Sequence, residues 1–197
     1  CIGATVATLI FFTIDIITVM VTNIIIVPEW DFYLFWSYGR TAVEGLNPYM
    51  QNNLIHMLTT LHPSEGLVTE LFFFYPPPSL FLFVPLDFTY IHRAYILWDI
   101  IQCLALVFLV FLLKKHFWSP NNDNDTLSIS ALVVLFTPTV FTIEMGQLNI
   151  FLLLFVLLFW QTRNTFWGGI WLAIACFVKP IALFLLLYVV LKRNWEI

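Results

Sequence analysis

Apolar positions come in long blocks separated by short polar clusters, and each block sets one element. Ile2 to Val27 is the first. It is long enough for a bilayer crossing, which takes about 20 apolar residues, and Pro28 closes it. From Glu29 to Glu70 the pattern turns mixed and aromatic. Phe32, Phe35, Trp36, Gly39 and Val43 fall on one helical face, Gly45 suits a C-terminal cap, and Asn47 with Pro48 opens a second helix. These spacings predict two helices lying in the membrane interface. Tyr75 and the triple proline Pro76 to Pro78 follow, and Ser79 to Leu86 then supplies about two turns, too few to cross about 30 Å.

Ala94 to Leu113 is the second clear span, closed by Lys114, Lys115 and His116, with Ser119 to Thr126 as a loop. Leu127 to Ile143 and Leu148 to Trp160 are shorter apolar segments on either side of the polar kink Glu144-Met145-Gly146-Gln147. Trp167 to Leu191 is apolar except for Lys179-Pro180 at its centre, which makes it one kinked span or a short hairpin. The fold class expected is all-α, a polytopic transmembrane helical bundle with a long outer first loop carrying interfacial helices. Residues 1–197 form a single transmembrane domain, with the first span at 2–27, the outer loop at 28–93 and further spans over 94–197.

Composition removes most other classes. Hydrophobic residues make up 61% of the chain and charged residues 10%, against about 25% charged in a soluble domain, and the mean hydropathy is +0.92. The chain reads as an integral membrane protein. Long blocks exclude the ten-residue alternation of an outer-membrane barrel. A net charge of -4, with no basic run longer than the pairs Lys114-Lys115 and Lys192-Arg193, excludes a nucleic-acid footprint. Cys1, Cys103 and Cys176 have neither a disulfide framework nor zinc-ligand spacing. Opening on Cys1 with no basic stretch before the first apolar block, the chain is expected to be part of a longer polypeptide.

Charge also orients the spans. The positive-inside rule puts Lys114, Lys115, Arg163, Lys192 and Arg193 on the cytoplasmic side. The region 29–93 and Gly146-Gln147 then lie outside, and the last block is a hairpin with Lys179 outward. Asp31, Tyr75, Gln147 and Lys179 converge on the outer half under this topology. A single final span would instead place Lys179 in mid-membrane.

Ionisable groups near lipid are costly, so each is a candidate for function or for a satisfied bundle contact. Asp15 sits mid-helix in the first span, where a hydrogen-bonded acid facing the bundle accounts for it. Asp31 lies among Trp, Phe and Tyr, where a half-desolvated carboxylate gains base strength; an ordinary interfacial acid is the alternative. Lys179 is a point charge suited to a phosphate or to snorkelling toward the interface. Arg40, His92 and Arg93 are further outer-side cations. Gln147 and Asn149 carry amides that can orient sugar hydroxyls or satisfy a broken helix. Most of the 21 Phe and 8 Trp are expected in core and belt.

The order of motifs is more informative than any one of them. Asp31-Phe32, Trp36 to Arg40, Glu44-Gly45-Leu46-Asn47-Pro48-Tyr49, Tyr75-Pro76-Pro77, Pro85-Leu86, Gly146-Gln147-Leu148-Asn149, Gly168-Gly169 and Lys179-Pro180 stand in sequence. Together they resemble glycosyltransferase family 87, the polyprenyl-phosphate-mannose-dependent α-mannosyltransferases of the C-type superfamily. The resemblance runs from Asp31 onward and implies the N-terminal half of a longer member; Glu144 departs from the pattern. It implies transfer of a hexose, usually mannose, from a polyprenyl-phosphate donor to a glycolipid or polysaccharide hydroxyl on the outer side of the cell membrane, with inversion. By that resemblance Asp31 is the general base, Lys179 and Arg40 bind the donor phosphate, and Tyr75 and Gln147 shape the sugar site. Neither cofactor nor metal is expected. The competing class is a transporter, flippase or assembly subunit, for which Asp15 and the interrupted helices would mark a pathway.

Overall fold

The computed structural model describes residues 30–61, 75–117 and 136–191. Every regular element among them is helical. The expected first span and Asp15 lie outside the described residues, as do Lys192 and Arg193.

Helix α1 (Trp30–Val43) buries Phe32, Phe35, Trp36 and Gly39, the face that the spacing predicts, though Val43 is exposed. It ends where Gly45 takes φ +75°, with the Gly45 N–H on Ala42 O and the Leu46 N–H on Thr41 O. These two bonds satisfy carbonyls that the last turn leaves open. Helix α2 (Gln51–Leu61) starts later than expected. The Asn47 side chain accepts the Tyr49 N–H at 2.9 Å, which caps a turn rather than a helix, and the chain makes that turn before Gln51.

After Tyr75 the prolines start a single helical turn, α3 (Pro77–Leu80), followed by a 3₁₀ turn at Val84–Leu86. Helix α4 (Ile91–Phe117) is the long element; its stretch Ile91–His116 is, among the described residues, the one helix long and apolar enough to cross a membrane by itself. Of the expected segment Leu127 to Ile143, the described part is α5 (Thr137–Glu144). It meets α6 (Asn149–Thr162) at 119° across the predicted kink. Helix α7 (Phe166–Val178) stops at Lys179, whose φ −145° and ψ 130° are the extended geometry that a following proline imposes. A 3₁₀ turn (Pro180–Ala182) and α8 (Leu183–Leu191) follow.

Two apolar clusters set the packing. The first gathers Phe32, Phe35 and Trp36 of α1, Leu80, Phe83 and Leu86, Tyr95 and Trp98 of α4, Leu148 and Val178. Its rings meet at centroid distances of 4.7 Å for Phe35–Phe83, 4.8 Å for Phe83–Trp98 and 4.9 Å for Phe32–Tyr95. Aromatic pairs at such distances contribute about 0.5–1.5 kcal/mol each beyond burial. The second joins Ala105 to Leu112 of α4 with Ile143 of α5 and Ile150 to Leu157 of α6. Helices α4 and α6 therefore run in the same direction away from the aromatic cluster, and α7 returns beside α6. Gly168 permits that return: a Cβ there would lie 2.6 Å from Thr162 O. The aromatic cluster thus brings the starts of α1, α4 and α6 and the end of α7 to one end of the molecule, with Lys114, Lys115 and Arg163 toward the other.

Candidate active site

The break between α5 and α6 is built before any reactive group is placed. Gly146 adopts φ +68°, which favours glycine, and a Cβ on it would stand 2.6 Å from Phe32 Cβ. The loop is fastened from both sides. From α1 the Phe32 N–H, one of the donors that a helix start leaves free, bonds Met145 O at 3.1 Å. From α4 the Trp98 indole donates to Gly146 O at 2.9 Å, and the Tyr95 hydroxyl donates to Glu144 O. With its amide turned to satisfy both neighbours, Gln102 donates to Gln147 O at 2.9 Å and accepts from Trp98 Nε1 at 3.2 Å.

So held, Gln147 projects its amide onto the first turn of α1. Its Nε2 donates to Asp31 Oδ2 at 2.5 Å. Asn149 Nδ2 donates to Gln147 Oε1 at 2.7 Å and to Thr142 Oγ1 at 3.2 Å. Asn149 Oδ1 in turn accepts from Lys179 Nζ at 2.6 Å. The result is a continuous path from a carboxylate through two amides to an ammonium, drawn from separate places in the chain. Lys179 Nζ lies 5.6 Å from the centre of the Tyr75 ring, a cation over an aromatic face. Tyr75 rests edge-on against Phe35 at 4.8 Å, and Tyr49 donates to its carbonyl at 3.1 Å. Burial first, and then the negative charge of Asp31, push the Tyr75 phenol up to about 12, so it stays a neutral donor.

The geometry leaves specific atoms open. Asp31 Oδ1 carries no hydrogen bond among the described residues, so one carboxylate oxygen is fixed by Gln147 and the other is presented. Lys179 uses one of its three N–H donors on Asn149. A carboxylate and a cation are therefore joined by one hydrogen-bonded path beside an aromatic ring. Among the described residues no three His, Cys, Asp or Glu side chains come together as a metal cluster.

Four of the five expected site residues, Asp31, Tyr75, Gln147 and Lys179, are brought together, and Arg40 is not. Nine residues along α1 from Asp31 is a displacement of about 13.5 Å and two and a half turns, onto the opposite face. There Arg40 Nη1 lies 3.2 Å from both Asp87 carboxylate oxygens and Nε lies 3.1 Å from Glu44. Asp87 raises the Arg40 guanidinium further above its ordinary value, so it is held firmly charged. Thr142, Tyr95, Trp98 and Gln102 escape a reading of the sequence. A Thr or Gln in an apolar run signals a hydrogen bond without saying to what, whereas Asn149, two residues from Gln147, carries a visible signal.

Helix ends that bring an acid, two amides and a cation together define a class: a helical protein with a polar cluster where its elements meet. Within that class the family model for glycosyltransferase family 87 matches residues 73–196, more than half of the chain. The chain belongs to glycosyltransferase family 87, whose enzymes are membrane proteins. The match falls on the C-terminal part of the chain rather than beginning at Asp31. It contains Tyr75, Gln147, Asn149 and Lys179; Asp31 and Arg40 precede it. No curated protein and no solved structure matches the chain.

Proposed function

We propose that this glycosyltransferase moves a hexose, mannose foremost, from a polyprenyl-phosphate donor to a hydroxyl of a glycolipid or polysaccharide. The reaction takes place at the outer face of a cell membrane that the chain crosses several times, and it inverts the anomeric carbon. The observation that carries the reading is the path from Asp31 through Gln147 and Asn149 to Lys179. It joins a carboxylate to a cation through two amides, with most of its members inside the family match, and a base and a phosphate-binding cation are what this reading needs.

A polyprenyl donor keeps its reacting carbon at headgroup level, near the shallow elements around Tyr75. The acceptor hydroxyl meets Asp31 Oδ1. As its oxygen bonds one face of the anomeric carbon, the bond to the phosphate oxygen breaks on the other, the proton passes to Asp31, and the electron pair leaves on the phosphate. Gln147 stops the carboxylate rotating. The donors of Lys179 that Asn149 does not use among the described residues meet the charge that builds on the leaving phosphate, where a cation already in position is worth most. Tyr75 and Gln147 border the sugar. Arg40, on the opposite face of α1 and paired with Asp87, takes no part in this arrangement.

Sugar transfer from radiolabelled polyprenyl-phosphate-mannose in membranes tests it. Asp31→Asn, expressed at the wild-type level, is expected to lose about 10²- to 10⁴-fold in rate, the contribution of a positioned general base. Wild-type transfer by that variant would remove Asp31 from the mechanism.

A further inference from the structure

On the face of α1 that turns away from Asp31 there is a cleft of about 400 Å³ between α1 and the segment leading into α4. Trp36 and Arg40 form its α1 wall, Asp87 and Arg93 contribute charge from the other side, and Phe88 and Tyr90 stand at its mouth. We infer that this cleft binds the headgroup of an anionic phospholipid. The inference needs only that the chain is a membrane protein, and it is independent of the sugar-transfer reading.

Charge sets the ligand's sign. Asp87 is 7% exposed and engages Arg40 through both oxygens, so one guanidinium is anchored and the buried carboxylate is satisfied. Arg40 Nη1 and Nε are used, on Asp87 and Glu44, while Nη2 makes no hydrogen bond among the described residues. Arg93 is exposed and has no carboxylate partner among them. Asp87 and Glu44 together offset Arg40, so among the described residues the exposed Arg93 guanidinium carries the unpaired positive charge of the cleft, and its planar fork suits phosphate oxygens.

Surroundings set the ligand's kind. Phe88 is 88% exposed and Tyr90 81%, with Phe81 and Leu82 exposed on the same segment. Large rings left open beside arginines are the composition of a membrane interface, where the ring meets the glycerol and upper acyl region and the arginine meets phosphate. A soluble phosphate would use the arginines and leave the rings unexplained. A phospholipid uses both.

The test is native mass spectrometry of the protein released from detergent micelles doped with phosphatidylglycerol or phosphatidylcholine. The wild type is expected to retain phosphatidylglycerol in preference. Arg93→Gln, an exposed change, should lower that retention roughly tenfold, as for a lost charged hydrogen bond. Lys115→Gln, at the far end of α4, should leave it unchanged. Equal retention by Arg93→Gln and wild type would overturn the site. So would equal loss in both variants, which marks diffuse surface charge. Binding of soluble glycerol phosphate as tightly as the lipid, lost in Arg93→Gln, would overturn the lipid as occupant.

Discussion

Asn149 decides the polarity of the whole array. Its Nδ2 is committed to Gln147 Oε1 and Thr142 Oγ1, which leaves Oδ1 for Lys179 and forces Gln147 to turn its donors toward Asp31. Asn149→Asp keeps the shape but removes both donations, so Gln147 is free to turn away from the carboxylate. Transfer is expected to fall roughly 10²-fold, the scale of a small misplacement of a reacting group. An unchanged rate in the radiolabel assay would show that the amide path does not position Asp31. Tyr38 and Tyr75 yield a pH dependence. Burial is the first cause that pushes each phenol up to about 12; Tyr49 adds to it for Tyr38 and Asp31 for Tyr75. Folded and unfolded chains are both protonated below the ordinary value near 10, so stability is steady there; above it the unfolded chain alone releases these protons, and stability is lost as pH rises toward 12. The share of thermal stability that these phenols set should fall between about pH 10 and 12 when unfolding is followed in detergent. The residue types of the site are legible in the sequence, because an acid, a lysine and amides in apolar surroundings must have partners. Arg40 shows the limit: its grouping with Asp31 follows chain proximity, whereas nine residues of helix turn it to the opposite side.

Elements are legible wherever a residue forbids continuation. Pro180 forces Lys179 into extended geometry, and the polar Glu144–Gln147 break separates two helices, both as the pattern of the chain predicts. The start of α2 eludes that pattern because Asn47 serves a turn as readily as a helix cap, and only its bond to the Tyr49 N–H distinguishes the two. Glycines offer a sharp contrast. Gly146→Ala needs an L residue at φ +68° and a Cβ 2.6 Å from Phe32 Cβ, so a cost of about 1–3 kcal/mol or more is expected, with loss of the Gln147 placement. A Cβ at Gly169, inside α7, would meet nothing within 4 Å. Gly169→Ala should be neutral or stabilising by up to about 1 kcal/mol through helix propensity. Thermal unfolding of the two variants side by side checks both; equal melting temperatures would contradict the fit of the loop to α1.

At the scale of the molecule, the aromatic cluster places the site. Trp98, Tyr95 and Gln102 sit inside an apolar span, and nothing local says that they fasten a loop far along the chain; that information is tertiary. The opposite face of α4 leaves Leu97, Ile100, Leu104, Val107, Phe108 and Phe111 exposed, and no residue of α8 is buried, which is apolar surface on the scale that lipid covers. In the proposed reaction the work is divided, Asp31 acting on the acceptor and Lys179 on the donor. Donor binding and single-turnover transfer, measured on the same preparations of Asp31→Asn and Lys179→Met with polyprenyl-phosphate-mannose, test that division directly. Under that division Asp31→Asn is expected to hold the donor and not transfer, and Lys179→Met to lose donor affinity. Wild-type donor binding and turnover in Lys179→Met, or loss of donor binding in Asp31→Asn alone, would contradict it.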